Sequence, residues 1–439
     1  MAELSFVDRE ISGWGRLAPS TASVARPRSV SELDAWVRQN NRPYLCVGAL
    51  RSYGDTCAND SGPVLDMGAL GRFQSFDRQT GILRADAGVL LGDLMQVVVP
   101  RGWFPATTPG TRQVTLGGAV ANDVHGKNHG KAGTFGTHVR ALELLRSDAG
   151  RRWISRETEP ELFAATVGGL GLTGIVCSVE LQLAPIASAY LQSETVPFGD
   201  LDGFFALSRS SETFEHTVAW IDCTARGRSL GRGVFHRADW ASDGRLEPHR
   251  GLPRKLPFPV PGGLLNPLTL KAFNTLYDGL QRARPRRSLE HYAQVFHPLD
   301  GLDGWNRFYG KAGFYQYQCV TPEGSEAAIR ELLTIIAQSG EGSFLAVLKA
   351  FGSRPSPGLL SFPMAGYTLA LDFRNRGTDT LRLLDRLDGV VRQAGGRLYP
   401  AKEARMSRAM FEQGYPRLDD FRRFRDPLCQ SDFARRMML

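Results

Sequence analysis

The 439-residue chain is short of long apolar runs, of paired cysteines and of the common phosphate-binding signatures. No stretch reaches the ~18 consecutive apolar residues that a membrane-spanning helix needs. The most apolar candidate, Gly88–Val99, is broken by Asp93 and Gln96. The N-terminal MAELSFVDRE is acidic early and has no apolar core, so a secretory signal is not expected. Six cysteines (46, 57, 177, 223, 319 and 429) stand singly, with no CxxC and no Cys/His ligand spacing. They read as free thiols of a reducing compartment, and no metal site is expected. A cytoplasmic protein, soluble or peripheral at a membrane, is the resulting expectation. The turn at Val47–Asp55 has neither GxGxxG nor GxxxxGK[ST], so the Rossmann and P-loop readings of it fail. Acidic residues are in deficit, 45 against 53 Lys and Arg, for a net charge of +8. That balance favours an anionic partner. Nucleic acid is not expected, because no stacking aromatic platform or nucleic-acid motif accompanies the charge. There is no internal repeat and no low-complexity tract.

What the chain does have is glycine in clusters. Pro109–Gly136, PGTRQVTLGGAVANDVHGKNHGKAGTFG, carries seven glycines among Thr, Asn, His and Lys donors. Val47–Asp55, VGALRSYGD, follows the apolar Tyr44–Leu45–Cys46, and Gly168–Gly174 reads GGLGLTG. Such density lets backbone approach a flat or charged group and aim N–H donors at it. The first two stretches read as halves of a dinucleotide cradle.

Strands and short helices alternate over the first ~185 residues in an α+β pattern. Ser29-Val-Ser-Glu32 fits a capping box before a helix over 33–37. Apolar positions 90, 91, 94, 95 and 98 predict a helix over 90–99, and 159–167 reads as another. Strands are expected at 64–67, 82–86, 140–147 and 172–183. Beyond residue 190, strands at 219–224, 314–320 and 368–373 alternate with helices at 325–339 and 380–394, which predicts a second α+β domain. Between them, 250–287 reads as a loop denied regular structure by Pro and Gly. It mixes Leu256, Phe258, Val260, Leu264, Leu265 and Phe273 with Arg254, Lys255, Lys271, Arg282, Arg284, Arg286 and Arg287. Apolar side chains among cations suit an anionic membrane surface or a lipid chain; a solvated surface loop is the plainer reading.

Five motifs carry a resemblance: Gly48 with Arg51-Ser-Tyr-Gly-Asp55; Pro109–Ala119; Asp123-Val-His-Gly-Lys-Asn-His129; Gly168–Gly174; and Leu398-Tyr-Pro-Ala-Lys402. Further strings are His297-Pro-Leu-Asp300, Trp305-Asn-Arg307, Gly313–Gln318, Phe351-Gly352 and Ser431–Arg436. Together they resemble the vanillyl-alcohol-oxidase (PCMH-type) superfamily of FAD enzymes, and within it the decaprenylphosphoryl-β-D-ribose 2'-oxidase family. The resemblance implies a PCMH-type FAD-binding domain at 1–189, an inserted α+β substrate domain built on an antiparallel sheet at 190–395, and a segment at 396–439 returning to the FAD domain.

It further implies FAD held by Gly48, Arg51, Ser52, Tyr53, Gly54 and Asp55, by Met67, and by Pro109, Gly110, Thr111, Gln113 and Thr115. Gly117, Gly118, Ala119, Asn122, His125, Gly126, Val176 and Tyr399 complete that set. Gln316, Gln318, Lys349, Phe296, Thr368 and Ala370 are implied at the substrate, and Lys402, His125 and Lys127 at the chemistry. A desolvated Lys402 can take a hydroxyl proton, and so can His125; Lys402 is preferred. His129 and His138 read as turn-filling. Arg51 stands where covalently flavinylated relatives carry His, and the first histidine of the chain is His125, so non-covalent FAD is expected.

The chain also departs from the pattern. Leu50 stands in a Gly position, Phe296 in a Tyr position, and Thr368 and Ala370 in Asn and Cys positions; the missing Cys predicts no inactivation by thiol-directed inhibitors. The resemblance implies oxidation of the 2'-hydroxyl of a lipid-linked phosphoribose, with a short-chain reductase as partner completing epimerisation to arabinose for the cell envelope. A soluble aldonolactone or sugar-alcohol oxidase is the alternative in the same chemistry. A flavin-binding scaffold without turnover is the alternative from another class, against which Lys402, His125 and Lys127 speak.

Overall fold

A computed structural model describes residues 4–17, 19–251, 254–255, 266–283 and 286–439. Arg284, Leu256, Phe258, Val260, Leu264 and Leu265 lie outside the described residues, as do the side chains of Arg254 and Lys255.

The N-terminal part holds two sheets. Four strands order as Val7–Ile11, Ser20–Ala25, Pro63–Asp66 and Leu45–Val47, the last three parallel. A six-stranded antiparallel sheet centres on Ile175–Pro185, which pairs with Ile82–Asp86, Val139–Arg146 and Trp103–Pro105. The capping box forms at Val30–Gln39: Ser29 Oγ accepts from Glu32 N at 3.1 Å, while Glu32 turns back to Arg28 N at 2.7 Å. The apolar VTLGGAVA run becomes a short helix, Leu116–Ala121, capped by Thr115 Oγ1, which accepts from Gly118 N at 3.1 Å.

The second part is one eight-stranded sheet. Its order is 287–291, 190–198, 233–240, 216–221, 347–351, 366–374, 314–322, 397–398. Helices Leu201–Ser210, Glu326–Ser339 and Thr378–Gln393 seal one face with Phe204, Leu332, Ile336, Leu384 and Leu387. Because side chains alternate along a strand, the register puts a second set on the opposite face. Gln316 is opposite Asp372, Gln318 is opposite Ala370, and Lys349 is opposite Thr368.

The C-terminal segment touches both parts. Strand 397–398 joins the large sheet through Cys319 and Val320. Further on, Gln430 N donates to Tyr44 O (2.8 Å), Asp432 N to Ala58 O (2.8 Å), and the Arg436 guanidinium grips Asp55.

Segment 250–287 is not loop throughout: Pro267–Ala283 is a 17-residue helix. The sequence held its start signal. Asn266 Oδ1 accepts from Leu268 N (3.0 Å) and Thr269 N (3.1 Å), and Pro267 takes the first turn, where no N–H is needed. All six cysteines are free thiols. No helix among the described residues is long and apolar enough to cross a membrane, and no described cluster of His, Cys, Asp and Glu can hold a metal.

Candidate active site

A cavity of about 770 Å³ opens between the glycine motifs and the exposed face of the large sheet. Its glycine side is tightly built. A Cβ on Gly48 would lie 2.2 Å from Thr115 Oγ1, so this turn admits no side chain without displacing the helix cap. Leu50 adopts φ +51°, the left-handed region where glycine is at ease and other residues pay about 1–2 kcal/mol. The departure from the glycine pattern is therefore accommodated by strained backbone rather than by a different turn. Arg51 stacks over Trp14 at 4.2 Å. The Pro109–Gln113 turn is tied to the HPLD string: Thr111 Oγ1 donates to Asp300 at 2.6 Å, Arg112 N donates to the same carboxylate at 2.8 Å, and Thr108 Oγ1 meets His297 Nε2 at 3.0 Å.

Asn122 Nδ2 donates to Gly118 O at 2.9 Å and Tyr399 O–H donates to Asn122 O at 2.8 Å, while Asn122 Oδ1 is buried with no hydrogen-bond partner among the described residues. A buried acceptor without a donor marks a position where a bound group belongs. The closed turn at Gly48, the orphaned Asn122 oxygen and a cavity of this size fit a dinucleotide such as FAD.

The sheet side carries the ionisable groups. Lys127, Lys349 and Lys402 all line the cavity. Burial depresses all three, Lys349 to about 7 and Lys127 and Lys402 to about 8. The charges of Lys127 and Lys402 add to the depression of Lys349, whereas Asp372 works against it at Lys402. Lys349 Nζ lies 3.4 Å from both His125 Nδ1 and Gly126 O. The Gln318 amide lies 3.1 Å from His125 Nε2. Burial first, then Lys349, holds His125 far below its ordinary value, so the ring is neutral with one proton for two nitrogens. An ammonium only donates, so Nδ1 accepts from Lys349. Nε2–H then faces Gln318, whose amide oxygen and nitrogen are assigned by such networks. Lys402 Nζ sits over the Tyr53 ring at 4.0 Å. Tyr53 N donates to Ala401 O at 2.9 Å, joining the RSYG turn to the YPAK turn.

Asp372 was not anticipated. It is fully buried, faces the cavity, and receives the Tyr309 hydroxyl at 3.0 Å and Gln316 Nε2 at 2.9 Å. Burial raises it to about 6. Its signal was the two-residue period: Thr368 and Ala370 were singled out, and the next residue on that face is 372. Trp14, Trp305 and Asp300 also line the wall and were missed as site residues.

Most anticipated residues converge on this cavity. Met67, Pro109, Gly110, Gln113, Gly117 and Val176 line it, as do Ser52, Phe296, Gln316 and Ala370. Four stand apart from it. Gly54 is filled from behind, since a Cβ there would lie 1.8 Å from Glu403 O. Asp55 is spent on Arg436. Ala119 is packed into the apolar core. Thr368 donates to Cys319 O at 2.8 Å and lies 3.4 Å from the Gln318 side-chain amide, behind the face that meets His125. His129 packs on Phe351 at 4.5 Å and His138 Nε2 meets Ala132 O at 2.9 Å, both structural contacts.

Residues 21–155 match the FAD binding domain family. Over its whole length the chain is 37% identical to decaprenylphosphoryl-β-D-ribose oxidase of Mycolicibacterium smegmatis, covering 99% of that protein. It is 38% identical to an uncharacterised protein of Streptomyces coelicolor, over 80% of this chain and all of that one. It is 30% identical to mouse L-gulonolactone oxidase over 36% of this chain and 37% of that enzyme. With the cavity, the glycine cradle and full-length identity in agreement, the chain belongs to the decaprenylphosphoryl-β-D-ribose oxidase family of FAD-dependent oxidoreductases.

Proposed function

We propose that the enzyme oxidises the 2'-hydroxyl of a polyprenylphosphoryl-β-D-ribose to the 2'-ketone, with FAD bound non-covalently. The observation that carries this reading is the trio of half-buried lysines, Lys127, Lys349 and Lys402, that line one cavity. Desolvation and mutual repulsion push these amines toward losing a proton, and an anion held among them favours their charged forms. A sugar phosphate is such an anion; a lactone is not. The motif at 48–53 and the turns at 109–118 and 122–126 would hold FAD in the cavity, with residues 1–189 and 396–439 forming its domain and 190–395 the substrate domain. Bound FAD supplies a two-electron acceptor for hydride.

The residues of the chain do the rest. Lys402, poised near neutrality, takes the hydroxyl proton as the carbon gives up its hydride. Asp372 faces Lys402, and the Tyr309 and Gln316 bonds fix its carboxylate. His125 has Nδ1 engaged by Lys349, so it orients rather than abstracts. Lys349 and Lys127 hold the phosphate. The ketone then passes to a reductase partner, and the lipid-linked substrate is met at a membrane surface. A soluble aldonolactone oxidase is the second reading, drawn from the likeness to L-gulonolactone oxidase.

Steady-state kcat/KM tests the choice. Polyprenylphosphoryl ribose is expected to exceed gulono-1,4-lactone by about 10³ or more, the discrimination that buried charged contacts make possible. Equal values would favour the lactone. The pH profile of kcat/KM is expected to be a bell. It rises as Lys402 loses its proton near 8 and falls as Lys349 loses its charge near 7, so the top lies between those values. A profile flat from pH 6 to 9 would contradict both roles.

A further inference from the structure

The helix Pro267–Ala283 is amphipathic with its polar side turned inward. Asn274, Asp278 and Gln281 are buried, and Asn274 Nδ2 donates to Asp222 Oδ1 at 3.0 Å. The apolar positions face solvent: Leu268 is 80% exposed, Leu276 64%, Leu280 57% and Phe273 45%. With Ala272 they span an arc of roughly 140° at 100° per residue, wider than the stripe by which a surface helix ordinarily meets its core. Isolated exposed leucines need no explanation, but a continuous apolar helix face does.

Two further observations say what covers it. On a chain of net charge +8, exposed cations border the face, Lys271 on the helix and Arg286 and Arg287 just beyond its end, while Arg282 is paired with Asp278 at 2.8 Å. The helix also packs beside the cavity wall. Phe273 packs on Phe344 at 5.3 Å, next to Leu345 in the cavity wall, and Tyr277 packs on Trp220 at 4.7 Å. The short strand Arg254–Lys255, on the other side of the segment, pairs with Leu302–Asp303, which also line the cavity.

We propose that this helix face is the membrane-docking surface of the enzyme, lying in the plane of an anionic leaflet. Its leucines enter the acyl boundary, its cations meet headgroup phosphates, and the cavity mouth is held against the bilayer. The inference rests on the lipid-linked substrate of the proposed function, from which its test is separable.

The test is co-sedimentation of the FAD-loaded full chain with phosphatidylglycerol or phosphatidylcholine vesicles. The wild type is compared with L268E/L276E/L280E and with V7E, a control at another exposed apolar site (Val7, 51% exposed). The wild type and V7E are expected on phosphatidylglycerol, and the triple variant is expected to partition at least about tenfold less. Melting temperature and flavin reduction by a water-soluble geranylphosphoryl ribose are expected to match in all three. Triple-variant binding equal to wild type overturns the proposal, as does a wild type that stays in the supernatant. A dimer that the triple variant dissociates, without vesicle binding, overturns it in favour of a second copy of the chain. Vesicle binding that holds while polyprenylphosphoryl ribose fails to reduce the flavin supports the docking face and removes the substrate reading.

Discussion

Lys402→Met is expected to slow flavin reduction by substrate about 10²–10⁴-fold, the range a positioned proton acceptor contributes. Methionine keeps the side-chain length and apolar packing against Tyr53 but can take no proton. The amine sits on the Tyr53 ring with Asp372 opposite, in a half-buried setting whose desolvation brings it to about 8. A general base works best when its proton affinity lies near the working pH. Stopped-flow absorbance under anaerobic conditions checks the rate, and the flavin content of the variant checks that the cavity still assembles. Reduction at the parental rate would transfer the role to His125. The pH profile separates the two outcomes further: loss of Lys402 removes the rising limb near 8, whereas a merely structural defect lowers the whole curve and keeps its shape.

Lys349→Met is expected to act on binding. Truncating one partner of a buried charged pair costs about 2–5 kcal/mol, which is roughly 30- to 4,000-fold at 1.4 kcal/mol per decade. The loss is expected in KM for a phosphorylated substrate, with kcat changed far less. Removing this cation also relieves the ring of His125, whose depression Lys349 helps to cause. The imidazole of the variant is therefore expected to titrate closer to its ordinary value, which NMR of the ring protons reads out. A fall in kcat with KM unchanged would place Lys349 at the reacting atoms instead. Oxidation of an uncharged lactone, if it occurs at all, is expected to be nearly indifferent to the change, which makes the variant a second discriminator between the two substrate classes.

The local part of this architecture was legible in the sequence because it rests on local signals. The capping box at Ser29, the helix at 91–98 and the strand at 82–86 follow from cap chemistry and periodicity, and the structure moves their ends by a few residues at most. The glycine motifs were legible as a cradle because glycine density has few other uses. Three things were not. The helix at 267–283 was hidden because the Pro- and Gly-rich approach outweighed an Asn-Pro start signal and an i+4 apolar period at 268, 272, 276 and 280. Asp372 was hidden because a lone Asp in a strand carries no motif; its one signal is the two-residue period from Ala370, which the register against Gln316 bears out. Gly54 and Asp55 were assigned to the cofactor because they sit in a cofactor motif, whereas the tertiary fold spends them on Glu403 and Arg436. Sequence spacing reports which residues share a loop, and only the fold reports which way each one faces.

The most direct test of the central claim is an absorbance spectrum of the purified enzyme, taken before and after acid precipitation and followed by anaerobic titration with polyprenylphosphoryl ribose. The predicted result is an oxidised-flavin band that leaves with the acid supernatant and, in the native enzyme, bleaches on addition of one equivalent of the lipid-linked sugar. Colour retained in the pellet would contradict non-covalent binding with Arg51 in the histidine position. Released flavin that the phosphosugar leaves oxidised, while a lactone bleaches it, would contradict the assignment of Lys349 and Lys127 to a phosphate.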